Sequence, residues 1–220
     1  DAWSIGILAR EMSEICAALR AGRPPVLPDL PVSYGEFSAR RADQLAGPIQ
    51  QTDADFWERT LRGLKHLEIQ SDRARPPLLT ANGAVLSAPL ERELTDGLAS
   101  LGRHNGATLH VTVLAGLLTL LHRHTGETDI AIGSRLVGRD EAEFENLIGA
   151  FDNTLVMRND LSGDPGFLAL LARVRDNFAE VLKHQHSAPE NPFAVAKPQS
   201  DLSRKPLFSV NFMLQRAIMG

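Results

Sequence analysis

Few side chains stand where they could do chemistry, and their spacing narrows what that chemistry is. Two histidine pairs, His122/His124 and His184/His186, offer imidazole for metal ligation or proton transfer. Residues two apart on a helix diverge by about 200°, so neither pair presents two ligands to one ion. Solvated histidines at helix ends, favoured by the C-terminal dipole, are the simpler reading. The carboxylates Asp140, Glu141, Glu143 and Glu145 form a run that reads as a solvated loop. Cys16, the single cysteine, excludes an internal disulfide; among apolar helix neighbours it is expected as a buried, inert thiol. No GxSxG elbow, GxxxxGK[ST] loop, GxGxxG or CxxC pair occurs. No metal set is legible.

The elements that must hold these residues belong to an ordinary globular chain. Its 220 residues suffice for one well-buried domain or a lobe of a larger one. No Met precedes Asp1, so the chain is expected to be part of something longer. Hydrophobic residues make up 43%, and a net charge of −4 mixes both signs along the chain. That excludes the one-signed basic face of a nucleic-acid binder. The longest apolar run, Val111 to Leu121, is shorter than the roughly 20 residues a bilayer span takes. The expectation is a soluble, cytoplasmic protein with no membrane or nucleic-acid partner.

Ile5, Leu8, Met12, Ile15 and Leu19 recur at helical spacing until Gly22 and Pro24 stop them. Ser33 and Glu36 stand at capping-box spacing for a helix from Tyr34 to about Leu45. Thr52 and Asp55 repeat that start signal for a helix carrying Phe56, Trp57 and Leu61, closed by Gly63. Leu67 to Gln70 and Gly83 to Pro89 are expected strands. Leu90, Leu94, Leu98 and Leu101 mark an amphipathic helix; Thr108 to Thr125 is apolar nearly all round, with Gly126 as its cap. Asp129 to Gly133 and Thr154 to Arg158 are β-branched strands flanking a charged loop, Arg139 to Glu145. Gly163, Asp164 and Pro165 introduce the helix of Phe167, Leu171, Val174, Phe178, Val181 and Leu182, and Leu207 to Leu214 is a final strand. Without strict βαβ alternation, the fold class is α+β, with helices packed on a mixed sheet.

Seven segments, in order, resemble the condensation domains of nonribosomal peptide synthetases. Asp1-Ala2-Trp3-Ser4 with Ile5 to Leu8 is similar to the end of the HHxxxDG motif and the helix after it. Tyr34-Gly35-Glu36-Phe37-Ser38 resembles a Tyr-x-Asp-Phe/Tyr-Ala segment. Phe56-Trp57 through Leu67-Glu68-Ile69 to Pro76 resembles YW…LELPTDRPRP. Thr125 to Gly133 with Gly138-Arg139 resembles TGQxDIVxGxxxxGR. Ile148 to Thr154 with Arg158 is similar to IGxFVNTxxxR. His184 to Phe193 is similar to HQDxPFE, and Ser200 to Phe208 to RDxSRNPLFQV.

The resemblance implies a pseudo-dimer of two chloramphenicol-acetyltransferase-like lobes with the active site between them. Residues 1–63 would be a helical linker region and residues 64–220 an incomplete second lobe. The first lobe and the end of the second are missing. It further implies a catalyst without metal or directly bound cofactor. Two acyl units arrive on the phosphopantetheine arms of carrier protein domains, beside an adenylation domain, and are joined as an amide or ester. The second His of HHxxxDG, upstream of Asp1, lies by the attacking amine. Asp1 would anchor that loop by pairing with Arg139; capping the first helix is an equally compatible role. Ala2 stands where glycine is usual, at a cost of roughly 1 kcal/mol if the backbone needs a positive φ. Asn153 and Thr154 resemble a turn beside the substrate tunnel. Asn211 would point into that tunnel or outward from an alternating strand. Ser134 and Arg135 begin the tunnel floor, and Arg135 and Arg139 are candidates for the phosphopantetheine phosphate. Trp57, Tyr34 and the Phe167/Val174/Phe178 stripe are expected as core. The alternatives are an epimerization domain, or an inactive relative kept as a docking platform for carriers or tailoring enzymes.

Overall fold

The structure, a computed structural model, describes residues 1–46, 49–139, 141–185, 201–205 and 207–215. His186 and most of the segment to Phe193, Asp140 and Pro206 lie outside the described residues.

The strongest local signals act as the sequence requires. Helix α1 (Ala2–Arg20) starts on Asp1, whose carboxylate accepts the Ser4 N–H at 2.7 Å. Helix α2 (Tyr34–Ala46) opens with a reciprocal capping box: Ser33 N–H donates to Glu36 at 2.6 Å and Glu36 N–H to Ser33 Oγ at 3.2 Å. Helix α3 (Ile49–Leu61) begins before Thr52, which falls inside its first turn. Helix α4 (Arg92–His104) turns into α5 (Leu109–Thr125) through a bend of 105°. Thr108 caps α5, and Gly126 closes it in the left-handed region at φ 75°. Strands β1 (Asp129–Val137) and β2 (Asp152–Asp160) run antiparallel, followed by α6 (Phe167–Lys183). A short β3 (Asn211–Phe212) joins β1 in parallel, giving the sheet order β2-β1-β3.

Register decides which residues share a face. Ile130, Ile132 and Ser134 of β1 pair with Asn159, Met157 and Leu155 of β2. On this face α6 is fastened by Asn177, which donates to Asn159 Oδ1 at 3.0 Å. The opposite face meets the ring of Phe208 so closely that a Cβ on Gly133 would lie 2.4 Å from it. Leu114, Leu118, Leu121, Leu171, Val174 and Val181 complete the main core with Trp57 and Leu61. A smaller cluster of Val32, Phe144, Leu147 and Phe151, with Phe37 against it, lies under the β1–β2 connection. The class is α+β, as expected.

Several local expectations are corrected. Residues 67–70 form no strand, although Leu67 is buried. Residues 83–89 form none either: Val85 and Leu86 are almost wholly exposed, with no neighbouring strand among the described residues to pair them. The final strand shrinks to Asn211–Phe212, whereas β1 and β2 each extend to nine residues. Cys16 is exposed. It lies one and two helical steps of four from Met12 and Leu8, on a face of α1 that no described element covers. No single helix is long and apolar enough to cross a membrane among the described residues.

Candidate functional site

The antiparallel β1–β2 pair throws its long connection, residues 138–151, back over the start of α1. Gly138 N–H donates to the Phe151 carbonyl at 3.2 Å and closes the connection at its neck. A Cβ on Gly138 would sit 2.3 Å from that same oxygen, so the approach requires glycine. The described residues of the connection include a 3-10 turn, Ala142–Phe144.

Arg139 reaches from this neck to Asp1. Its Nη2 lies 3.3 Å from both Asp1 carboxylate oxygens, and the two side chains are 2% and 1% exposed. Its Nη1 donates to the Phe144 carbonyl and, at 2.8 Å, to the Leu147 carbonyl. The guanidinium carbon stands 3.8 Å above the Phe151 ring centroid. Asp1 Oδ2 also accepts the Phe151 N–H at 3.2 Å. Burial pushes the Arg139 pKa down and the charge of Asp152 opposes it; a guanidinium remains charged throughout. The carboxylate thus caps α1 and meets a buried arginine at once.

Ser4 is the member that sequence reasoning missed. Its hydroxyl accepts from Arg139 Nη2 at 3.0 Å and from Gly149 N–H at 3.1 Å, and donates to the Gly149 carbonyl at 2.9 Å. A serine in the first helical turn reads as ordinary, and nothing local signals contacts at positions 139 and 149. Around this centre Trp3 Nε1 donates to the Glu145 carbonyl at 2.8 Å, and Arg10 to Asn146 at 2.8 Å. Arg40 of α2 ion-pairs with Glu143. The Tyr34 hydroxyl donates to the Ala150 carbonyl at 3.0 Å, and its ring fills the space a Gly149 side chain would occupy. Tyr34 is therefore a packing residue at the edge of the small aromatic cluster, and Trp57 lies in the main core.

Ala2 is helical, and the only described non-glycine residues with positive φ are Asp164 and Leu207. The strain considered for position 2 is therefore absent.

The other candidates lie at the loop end of the sheet. Arg135 is 46% exposed and ion-pairs with Asp152 at 3.4 Å. Asn153 donates to the Gln185 carbonyl. Asn211 is exposed and stands in register with Gly133. Ser134 is fully buried, and its hydroxyl has no partner among the described residues. The burial of Arg139 removes it as a phosphate contact. A cavity of about 190 Å³ opens beside the connection, lined by Phe37, Arg40, Arg41, Gly138, Phe151 and Asn153 among others.

Among the described residues no group of three His, Cys, Asp or Glu side chains is placed to hold a metal ion. His184 is not the solvated histidine expected: its Nδ1 lies 2.7 Å from buried Asp53, and its ring stacks 3.9 Å from Phe56. His122 Nδ1 meets the Glu127 carbonyl at 2.7 Å.

Comparison with known proteins then gives a consistent result. The profile described as "Condensation domain" matches residues 1–218. The chain is 39% identical over 216 residues to a linear gramicidin synthase protein of Brevibacillus parabrevis, covering 98% of this chain and 4% of that protein. Among solved structures, the X-domain from teicoplanin biosynthesis superposes with a TM-score of 0.82 at 28% identity, over 96% of this chain and 48% of that one. That X-domain is also known in complex with OxyB, with the same superposition. The four-domain nonribosomal peptide synthetase AB3403, bound to AMP and glycine, superposes with a TM-score of 0.80 at 25% identity, over 99% and 16%.

Proposed function

The chain belongs to the condensation-domain family, with its chloramphenicol-acetyltransferase-like fold, and from that premise we propose that the complete domain joins two carrier-tethered acyl groups. The observation that carries this reading is the caged Asp1–Arg139 pair. It sits where the family's HHxxxDG motif ends and fixes the loop that would present the motif's second histidine. The acceptor's amine, or hydroxyl, attacks the donor thioester carbonyl. A C–N or C–O bond forms, the C–S bond breaks, and the proton passes by way of the histidine to the departing thiol. Both thiols belong to phosphopantetheine arms of carrier protein domains, in a cytoplasmic synthetase that also holds an adenylation domain.

In this reading residues 1–63 are the linker region and residues 64–220 an incomplete second lobe. The exposed α1 stripe of Ile5, Leu8, Met12 and Leu19 supports a covering first lobe. Asp1 and Arg139 act as positioning residues. Ser134, Arg135, Asn153 and Asn211 stand along the sheet end that would border the tunnel.

A second reading is favoured by the likeness to the X-domain that is known with OxyB bound: a docking platform for carriers or a tailoring enzyme. One assay separates the two. The complete domain is given two loaded carriers, as wild type and with the motif's second histidine replaced by alanine. Product from the wild type and its loss in the variant establish condensation. Carrier binding without product from either establishes docking.

A further inference from the structure

Two polar atoms in the interior have no assigned work. His110 Nε2 on α5 and Ser134 Oγ on β1 are both enclosed, and neither has a hydrogen-bond partner among the described residues. Leaving such a group unpaired costs about 1–3 kcal/mol, so native structures keep few of them without a reason.

The fold brings both residues beside one phenylalanine, Phe212. Ser134 and Phe212 are parallel register partners, so their side chains project from the same face. The His110 ring lies 4.9 Å from the Phe212 ring, edge-on, and 5.0 Å from the Phe178 ring of α6. His110 and Ser134 therefore flank one phenylalanine, with a second closing the side. This lies at the end of β1 that leads into the 138–151 connection. Strand β3 also stops there: it is two residues long, and the following Met213 and Leu214 are exposed.

The chemistry of the two atoms limits what they recognise. Burial pushes the His110 pKa down, so the imidazole is neutral and offers one N–H and one lone pair. A serine hydroxyl donates and accepts. Neither group supplies a charge, so a carboxylate or ammonium placed here would be buried without a counter-charge. A carboxamide or hydroxyl, which both donates and accepts, matches the pair, and the two phenylalanines match an aliphatic stem.

We propose that His110 and Ser134 form the polar end of a recess that selects an uncharged amide- or hydroxyl-bearing side chain on one of the acyl substrates, with Phe178 and Phe212 as its walls. The proposal rests on the condensation reading and extends it to a substrate class.

The test uses the complete domain with carriers bearing isosteric pairs, glutaminyl against methionyl and threonyl against valyl, placed in turn on the donor and acceptor side. The wild type favours the polar member of a pair on one side. His110→Phe and Ser134→Ala each lower the polar-to-apolar ratio by about tenfold or more. His110→Gln, whose amide nitrogen occupies the place of Nε2, keeps the preference and shows that the fold survives substitution. An unchanged polar-to-apolar ratio in His110→Phe and Ser134→Ala overturns the proposal and assigns the two atoms to an enclosed water. So does a wild type without preference, or a His110→Gln domain that behaves as His110→Phe. If the wild type makes no product from any pair, the condensation reading fails separately. Calorimetric binding of the same acyl groups as pantetheine amides then reads the same ratios.

Discussion

Two arginines hold this molecule together by the same device, in regions of opposite character. Arg139 joins Asp1 to the carbonyls of Phe144 and Leu147. Arg158 joins Asp129, at 2.7 and 2.8 Å, to the carbonyls of Thr60 and Arg62 at the end of α3. Each guanidinium thus fixes a carboxylate and two carbonyls. The Arg158 pair has the better geometry, two separate nitrogens on two oxygens. It also has solvent, with side chains 24% and 44% exposed. The Arg139 pair uses one nitrogen at 3.3 Å and has no solvent. A buried pair of ordinary geometry is a poor source of stability, because desolvation offsets most of the attraction. Its value is that it cannot be rearranged cheaply. The Arg158 region fastens a helix to a sheet; the Arg139 region fixes one conformation of a loop next to the proposed chemistry.

That contrast breaks first at Arg139. Arg139→Gln leaves the Asp1 carboxylate enclosed without a counter-charge, at a cost of about 3–5 kcal/mol. Urea unfolding of the complete domain should show this as a lower midpoint with an unchanged slope. Product formation should fall about a hundredfold, since a displaced motif loop misplaces the histidine. Arg158→Gln is the next largest effect. Water reaches Asp129 and helps to satisfy it, so the loss should be about 2 kcal/mol, read in the same unfolding experiment. Turnover at a temperature where the variant stays folded should change less than threefold. A larger kinetic loss at Arg158 than at Arg139 would reverse the assignment of the two regions.

The sequence made the two regions unequally legible. The helices announced themselves through periodicity and caps: Thr108 and Gly126 bound α5 where their chemistry says they should, and the Ser33–Glu36 box forms as spaced. Periodicity shows that a helix is amphipathic but not what covers it. For that reason the α1 stripe and Cys16 are exposed here. Residues 83–89 have strand composition, yet a strand exists only where another pairs with it. The Asp1–Arg139 contact joins residues 138 apart in sequence, and only the family resemblance points to it. Ser4 carried no signal, because a serine near a helix start has a sufficient local explanation. His110 and Ser134 were equally silent, since an unpaired polar atom becomes visible only when its neighbours are placed.

Ser4 sharpens the comparison at smaller scale. Ser4→Ala removes an acceptor for Arg139 and both bonds to Gly149, yet it leaves the charge pair intact. The expected loss is about 1–2 kcal/mol. If Ser4 holds the loop rather than merely filling space, Ser4→Thr should restore most of the turnover that Ser4→Ala removes. Equal defects in the two variants would reduce Ser4 to packing.

The smallest effect belongs to Ala2, and its smallness is informative. Glycine is the family's usual residue there, so an inactive relative could owe its silence to alanine. The backbone argues otherwise. Ala2 opens α1 in an ordinary helical conformation, outside the positive-φ residues. A glycine at this position relieves nothing and adds freedom to the unfolded chain. Ala2→Gly should therefore lower stability by less than about 1 kcal/mol, visible as a small shift in melting temperature, and should leave turnover unchanged. A gain in turnover of tenfold or more would show that the loop of the active domain needs a backbone that alanine denies it, and that the Asp1–Arg139 cage seen here holds the wrong conformation.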